Sequence, residues 1–263
     1  QTLVAARLGT KSTIEETRTE NLMKVADRGA LPIMLNYYGA HTGRFSGGDK
    51  LNLQNLPRNG AIRKAITAPE GHVLIACDSS QIEARMVAYI AGQDDLVQAF
   101  REGRDVYSEF ASEVYGKKVT KNDKIQRFVG KTCILGLGYG MGHVKFRATL
   151  ALGQGGIAVD IDENEAKRIV NLYRQKNHKI VSLWNRCGHA LTGMVSGASG
   201  NICELLPYDA DGITLPNGLK IKYNALRSTA DGFEYISDAR TFRKLAQKRL
   251  MTGEQQKIDW TRI

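Results

Sequence analysis

The chain has 263 residues, is 42% hydrophobic and carries a formal net charge of +10 at pH 7, enough for one large buried core or two smaller ones. No run of about eighteen apolar residues is present to span a bilayer, and the N-terminus QTLVAARLGTKS has no signal-peptide layout. The four cysteines (Cys77, Cys133, Cys187, Cys203) include no C-x-x-C pair, which excludes a zinc ribbon or disulfide framework and leaves reduced thiols in a soluble, intracellular protein as the expectation. The positive charge makes a polyanion the natural partner, since released counterions supply sequence-independent affinity for nucleic acid. Its spread along the chain suits a groove following a phosphate backbone, although a generically basic protein has the same balance.

In chain order, TLVAARLGTKSTIEETRTENLMKVAD has a helical pattern built from good helix formers, with no start signal at Gln1. LPIMLNYYG (residues 31–39), apolar and aromatic between two glycines, predicts a strand. HTGRFSGGDKLNLQNLPRNG is too rich in Gly, Asn and Asp for regular structure. Its Arg44 and the amides of Asn52, Gln54 and Asn55 can donate to phosphate oxygens and minor-groove acceptors, but an ordinary surface loop has the same composition. HVLIAC (residues 72–77) is continuously apolar, as expected for a strand covered on both faces. Asp78 ends it, where a carboxylate suits a hard cation such as Mg2+ and equally the N-cap of a following helix. Ser80-Gln81-Ile82-Glu83 has the S-x-x-E spacing of a capping box, opening a helix whose Ile82, Met86, Tyr89 and Ile90 share a face until Gly92 stops it.

DVYSEFASEVYG predicts a helix from an Asp105 cap to Gly116. In QRFVGKTCILGLGYGMG (residues 126–142), Arg127, Lys131 and Leu135 recur every four residues and Tyr139 follows. At helical pitch, two cations and an aromatic ring therefore share one slowly drifting stripe, which Gly136, Gly138 and Gly140 are expected to end. Such a stripe can hold a polyphosphate and press a planar base near its end; a solvated amphipathic face is the plainer alternative. Two phosphate-loop motifs fail here: Ile125 stands where a Walker A loop ending at Gly130-Lys131-Thr132 needs glycine, and Met141 and His143 occupy the third-glycine positions of G-x-G-x-x-G. Residues 160–177 and 179–197 read as two more helices, with Asp160-Ile161-Asp162 as capping rather than a metal pair. Trp184 and Met194 read as core, and His178 and His189 have no partners at ligand spacing. ITLPNGLKIKY predicts a hairpin around Pro216-Asn217-Gly218, and STADGFEYI a second around Asp231-Gly232. The strongly basic tail ARTFRKLAQKRLMTGEQQKIDWTRI suits DNA or a solvated face equally.

Three segments occur in a telling order: HTGRFSGGDKLNLQNLP (41–57), VLIACDSSQIEAR (73–85) and RFVGKTCILGLGYG (127–140). In order and spacing they resemble the template-contact segment, motif A and motif B of family A DNA polymerases, the DNA polymerase I family, and especially its bacteriophage members. The resemblance runs over about the first 195 residues and more loosely beyond. It implies an α+β fold: a partial right-hand palm with an antiparallel sheet and mainly helical fingers. Residues 1–30 would form the thumb–palm junction, 31–92 the palm part carrying motif A, 93–200 the fingers carrying motif B, and 201–263 hairpins and a basic segment leading back to the palm.

The same resemblance implies DNA-directed DNA polymerase chemistry, adding dNTPs to a primer 3′ end with two Mg2+ ions, with primer–template DNA and dNTP as partners in the cytoplasm, the host's if phage-encoded. Asp78 would be one of two metal-bridging carboxylates, with the Ser79 carbonyl adding a ligand. Gln81 and Glu83 would meet the dNTP, Glu83 crowding the sugar 2′ position. Arg127 and Lys131 would take the β and γ phosphates, and Tyr139 would stack near the templating base. Leu135 stands where Phe or Tyr is usual against the sugar and base, and Arg44, Asn52, Gln54, Asn55 and Gly140 would contact DNA. Family members commonly have His at Tyr107; a neutral phenol cannot carry an imidazolium charge, so packing is at least as good a reading as phosphate binding.

None of the five histidines precedes an Asp, so the His-Asp-Glu motif bearing the second carboxylate is not found. The expectation is an incomplete polymerase core, with the thumb proper and any exonuclease domain outside it and a second chain or downstream segment supplying the carboxylate. Arg127 and Lys131 are expected to face Asp78 across an open channel. Two alternatives stand beside this: a single-subunit RNA polymerase, against which Glu83 and the QNLP segment argue, and a catalytically inert DNA-binding module.

Overall fold

The computed structural model describes residues 14–40, 43–48, 53–56, 60–153, 156–230, 232–236 and 261–262. The chain forms two compact units, Gln1–Cys77 and Asp78–Ile263. The architecture is α+β, mainly helical with small antiparallel sheets. Among the described residues no helix is long and apolar enough to cross a membrane.

In the first unit, helix α1 (Ile14–Ala26) carries Glu15 and Glu16 in its first turn and Lys24 in its last, complementing the helix dipole at both ends. The expected strand over 31–39 is reduced to β1 (Leu35–Asn36), paired antiparallel with β2 (Ser46–Gly47). Ile33, Met34, Leu35 and Tyr37 are exposed, because a two-residue partner supplies too short a ladder to hold a longer strand. A 3-10 turn (Leu53–Asn55) and the short helix α2 (Ala61–Lys64) follow.

Residues 72–77 depart from expectation more sharply. The run is extended but not a strand, and Val73 and Ile75 are 82% and 84% exposed. Continuous apolarity signals that a segment is suited to burial; it does not supply the neighbouring strands, and none among the described residues pairs with this run.

Among its described residues the second unit packs seven helices around one core: α3 (Ile82–Ala91), α4 (Asp94–Arg101), α5 (Val106–Tyr115), α6 (Lys124–Thr132), α7 (His143–Leu152), α8 (Glu163–Lys176) and α9 (His178–Val195). Leu137, Phe146, Leu150 and Tyr173 are each at most 1% exposed, and each such fully buried aliphatic or aromatic side chain contributes ~1.5–3 kcal/mol. The Phe110 and Tyr173 rings meet edge to face at 5.6 Å. Met194 is buried and Trp184 packs against the core, as expected. Gln93 ties the α3–α4 junction to α9, its Oε1 accepting from the Lys179 amide at 3.1 Å.

Several ends form as the local sequence predicts. Gly92 and Gly116 close α3 and α5 in the left-handed conformation, at φ 72° and 61°. Asp162 caps α8 by accepting from the Glu165 amide at 2.7 Å. The meander β3 (Gly200–Cys203), β4 (Leu206–Asp209), β5 (Gly212–Thr214) and β6 (Lys220–Lys222) contains the hairpin around Pro216-Asn217-Gly218, with Thr214 opposite Lys220. The second hairpin joins β7 (Asn224–Thr229) to β8 (Gly232–Ile236), and β8 also pairs with β9 (Thr261–Arg262). Of the basic C-terminal segment only residues 261–262 are described.

Candidate nucleotide-binding site

The approach to α3 is a strained turn. Gln81 takes the N-cap position at φ 57° and ψ 29°, a left-handed conformation that costs a non-glycine residue roughly 1–2 kcal/mol. Arg85 offsets that strain: its Nε donates to the Ser80 carbonyl at 2.9 Å, and its guanidinium lies over the Phe100 ring at 4.9 Å. The capping box read from Ser80 and Glu83 does not form, since the cap position falls on Gln81 and no side chain caps α3. Of the face shared by Ile82, Met86, Tyr89 and Ile90, the first three are exposed and Ile90 packs against the core, while Ala84, Ala88 and Ala91 are buried. Small residues allow close approach to the neighbouring helices, so the alanines centre the inner face, with Val87 and Ile90 packing beside them.

Arg127 sits on α6, one turn before Lys131. Its Nε and Nη2 donate to the two carboxylate oxygens of Asp105 at 2.8 and 3.1 Å, and its guanidinium carbon lies 5.3 Å from the centre of the Tyr107 ring. Asp105 occupies the N-cap position of α5, as expected, but its side chain does not cap the helix; besides Arg127 it accepts from the Ser108 hydroxyl at 2.7 Å. Burial alone would raise the Asp105 pKa, but the hydrogen bonds from Arg127 and Ser108 and the Arg127 charge outweigh it and hold the carboxyl below its ordinary value. Tyr107 is buried, so packing is the reading the geometry supports. Burial pushes its phenol up, partly offset by the Gln81 side-chain amide beside the hydroxyl and by the Arg127 charge. Gln81, three residues along from Asp78, thus meets the residue on which Arg127 rests.

This arrangement depends on Gly130. A Cβ there would lie 2.0 Å from the Tyr107 carbonyl oxygen and 3.0 Å from the Ala111 Cβ, so glycine lets α6 press against α5. After Thr132 the helix continues as a wider π-helical turn (Cys133–Leu137), a feature often found at functional sites. The glycines do not all break the helix as expected: Gly136 lies within this turn, Gly138 keeps right-handed helical angles, and of the three only Gly140 uses positive φ, at 74°. Arg127, Lys131 and Leu135 remain half-buried and Tyr139 is exposed, so the stripe stays accessible. Trp184 fixes its end by donating from Nε1 to the Gly138 carbonyl at 3.1 Å.

Glu83, Leu135 and Tyr139 line one depression with Ala84, Val87 and Gly138, which brings the start of α3 against the end of the stripe. Asp78 and Ser79 are exposed. Arg44 and Gln54 are exposed within the first unit, Asn55 lies in its 3-10 turn, and Asn52 falls outside the described residues. Among the described residues no group of three or more His, Cys, Asp or Glu could hold a metal ion. The contributions of Asp105 and Gly130 were not visible in the sequence. Asp105 lies 22 positions before Arg127, and the only available cue is that a cation in a binding stripe needs something to orient it.

The family model for DNA polymerase family A matches residues 6–194. The chain belongs to DNA polymerase family A. Among its relatives, the thermostable DNA polymerase I of Thermus aquaticus is 35% identical over 156 residues, 58% of this chain and 18% of that protein. DNA polymerase I of Chloroflexus aurantiacus is 39% identical over 117 residues, 43% of this chain and 12% of that one. The chain spans less than a fifth of the length of the curated relatives it matches. A solved structure described as the POL domain of Pol1 from M. smegmatis in complex with DNA primer-template and dNTP is 27% identical, with a TM-score of 0.48, covering 64% of this family A chain and 29% of that one.

Proposed function

We propose that this family A chain is the dNTP-gripping portion, palm part plus fingers, of a DNA-directed DNA polymerase that extends a primer 3′ end on a DNA template. The observation that supports this most is the common depression of Glu83, Leu135 and Tyr139 at the end of the Arg127–Lys131 stripe. On this reading Arg127 and Lys131 hold the β and γ phosphates, since multiple N–H donors and fixed charges suit phosphate oxygens. Tyr139 presents its ring to the base, Leu135 lies at the sugar and Glu83 crowds the 2′ position. Arg44, Asn52, Gln54, Asn55 and Gly140 contact primer and template. The bacteriophage kinship stays within the proposal and rests on the three motifs alone.

Asp78 and the Ser79 carbonyl are hard oxygen donors of the kind Mg2+ takes, and they would hold one ion in part. A second carboxylate from a further segment or chain would complete the pair. Bound Mg2+ would lower the pKa of the primer hydroxyl and steady the leaving pyrophosphate. This chain's residues bind and orient the triphosphate and shape the sugar pocket.

The test is dNTP affinity, measured by equilibrium dialysis, beside primer extension with Mg2+. Arg127→Ala/Lys131→Ala should weaken dNTP binding by at least tenfold, and extension should require the completing segment. Unchanged dNTP binding in the double variant, with the fold intact by circular dichroism, would refute the proposed phosphate grip. Robust extension by the 263 residues alone would remove the need for a second carboxylate from elsewhere.

A further inference from the structure

Arg127 is fixed on two sides before any ligand arrives. Asp105 takes its Nε and Nη2 in a two-pronged ion pair at 2.8 and 3.1 Å, and the Tyr107 ring lies against the guanidinium face at 5.3 Å. The ion pair is partly withdrawn from water, its side chains 30% and 16% exposed for Arg127 and Asp105. Asp105 is itself held by the Ser108 hydroxyl, and Gly130 brings the two helices close enough for the pair to form. A planar guanidinium gripped by that edge has one rotational setting and keeps its Nη1 edge unspent: among the described residues no acceptor takes a hydrogen bond from Nη1.

We infer that Asp105 is a positioning residue for polyphosphate recognition, orienting Arg127 so that its Nη1 edge meets the anion. This rests on the proposed role of Arg127. Two opposing effects follow from a carboxylate in that place. Its negative charge repels a triphosphate, while its fork removes the ordering cost of immobilising a long, flexible side chain on binding. The carboxylate's charge is already neutralised by Arg127, and the pair also sets direction, so ordering wins and loss of the carboxylate weakens binding. Tyr107 supports the same setting from the face, as a cation–π partner.

A double-mutant cycle on the intact chain tests this, with dATP and inorganic tripolyphosphate as probes and circular dichroism melts alongside. Asp105→Asn, nearly isosteric, should weaken both probes about tenfold, and Asp105→Glu should recover part of the loss by restoring a carboxylate. In an Arg127→Ala background, Asp105→Asn should change affinity less than twofold. A purely architectural Asp105 gives losses that add in both backgrounds and track the melting temperature, which overturns the inference. Unchanged or tighter binding by Asp105→Asn overturns it too. If Arg127→Ala alone binds dATP as the parent does, the proposed role of Arg127 is what fails. If Asp105→Asn does not fold, Tyr107→Leu takes its place in the cycle under the same criteria, with an expected loss of about threefold.

Discussion

In the helical unit Arg127 is clamped by the Asp105 carboxylate and the Tyr107 ring, on a helix pressed against its neighbour through Gly130. Asp78, the carboxylate that motif A offers, instead follows an extended run whose Val73 and Ile75 side chains are largely exposed. The difference teaches that the cationic side of the site is assembled by contacts within the described helices, whereas a run shaped for a sheet interior has no ladder partner among the described residues. A helix satisfies its own backbone and needs neighbours only for its inner face; a strand needs them for every residue.

Substitution at the helix contact should break the braced side most severely. Gly130→Ala places a methyl group 2.0 Å from the Tyr107 carbonyl oxygen, and overpacking of this kind costs on the order of 1–3 kcal/mol or more. Chemical denaturation should show that loss, with nucleotide affinity falling in parallel. Gly188→Ala is the matched control: this helical glycine has open space around its missing Cβ, so the change should be neutral or stabilising by up to about 1 kcal/mol. Equal behaviour of the two variants would mean that α5 and α6 are not in close contact.

Acid should act on the same side more mildly. The folded Asp105 pKa lies below its ordinary value, so its contribution is fully present above the unfolded pKa, about 3.9, and is lost as pH falls through the depressed folded value. Melts below about pH 4 should therefore decline more steeply for the parent than for Asp105→Asn. Parallel curves would show that the ion pair contributes nothing to stability.

The smallest effect is expected on the exposed side. Ile75→Ser should alter the stability of this chain by no more than about 0.5 kcal/mol, as for other surface positions. In a longer polymerase where strands cover the run, the same substitution should cost about 1.5–3 kcal/mol. A large loss in the isolated chain would show that residues 72–77 are already covered and would erase the contrast with Arg127.

Much of the fold was legible wherever chemistry acts over a few residues. Asp162 caps α8, Gly92 and Gly116 close their helices, and the Pro216-Asn217-Gly218 turn sets its hairpin. The Arg127–Lys131–Leu135–Tyr139 stripe was legible because helical pitch places such residues on one side, and it stays accessible through the π-helical turn. Reading failed where a local pattern had a tertiary competitor. Ser80 and Glu83 fit a capping box, yet Arg85 and Phe100 hold the turn that puts Gln81 at the cap. Ile82, Met86, Tyr89 and Ile90 formed an apolar face, yet of these only Ile90 packs on the core, and the alanines of α3 are the ones buried.

By itself the amino-acid sequence determined the family, the helical identity of most of the second unit and the types of side chain along the accessible stripe. The family follows from the resemblance of three motifs to known polymerases, and the helices and turns from periodicity and turn chemistry, which are properties of neighbours along the chain. Only the tertiary structure decided that Asp105 would orient Arg127 instead of capping its helix, that Gly130 would serve a backbone contact, and that Glu83 would share a depression with Leu135 and Tyr139. Each of those outcomes joins residues distant in sequence, where close packing selects among groups that local propensity cannot tell apart.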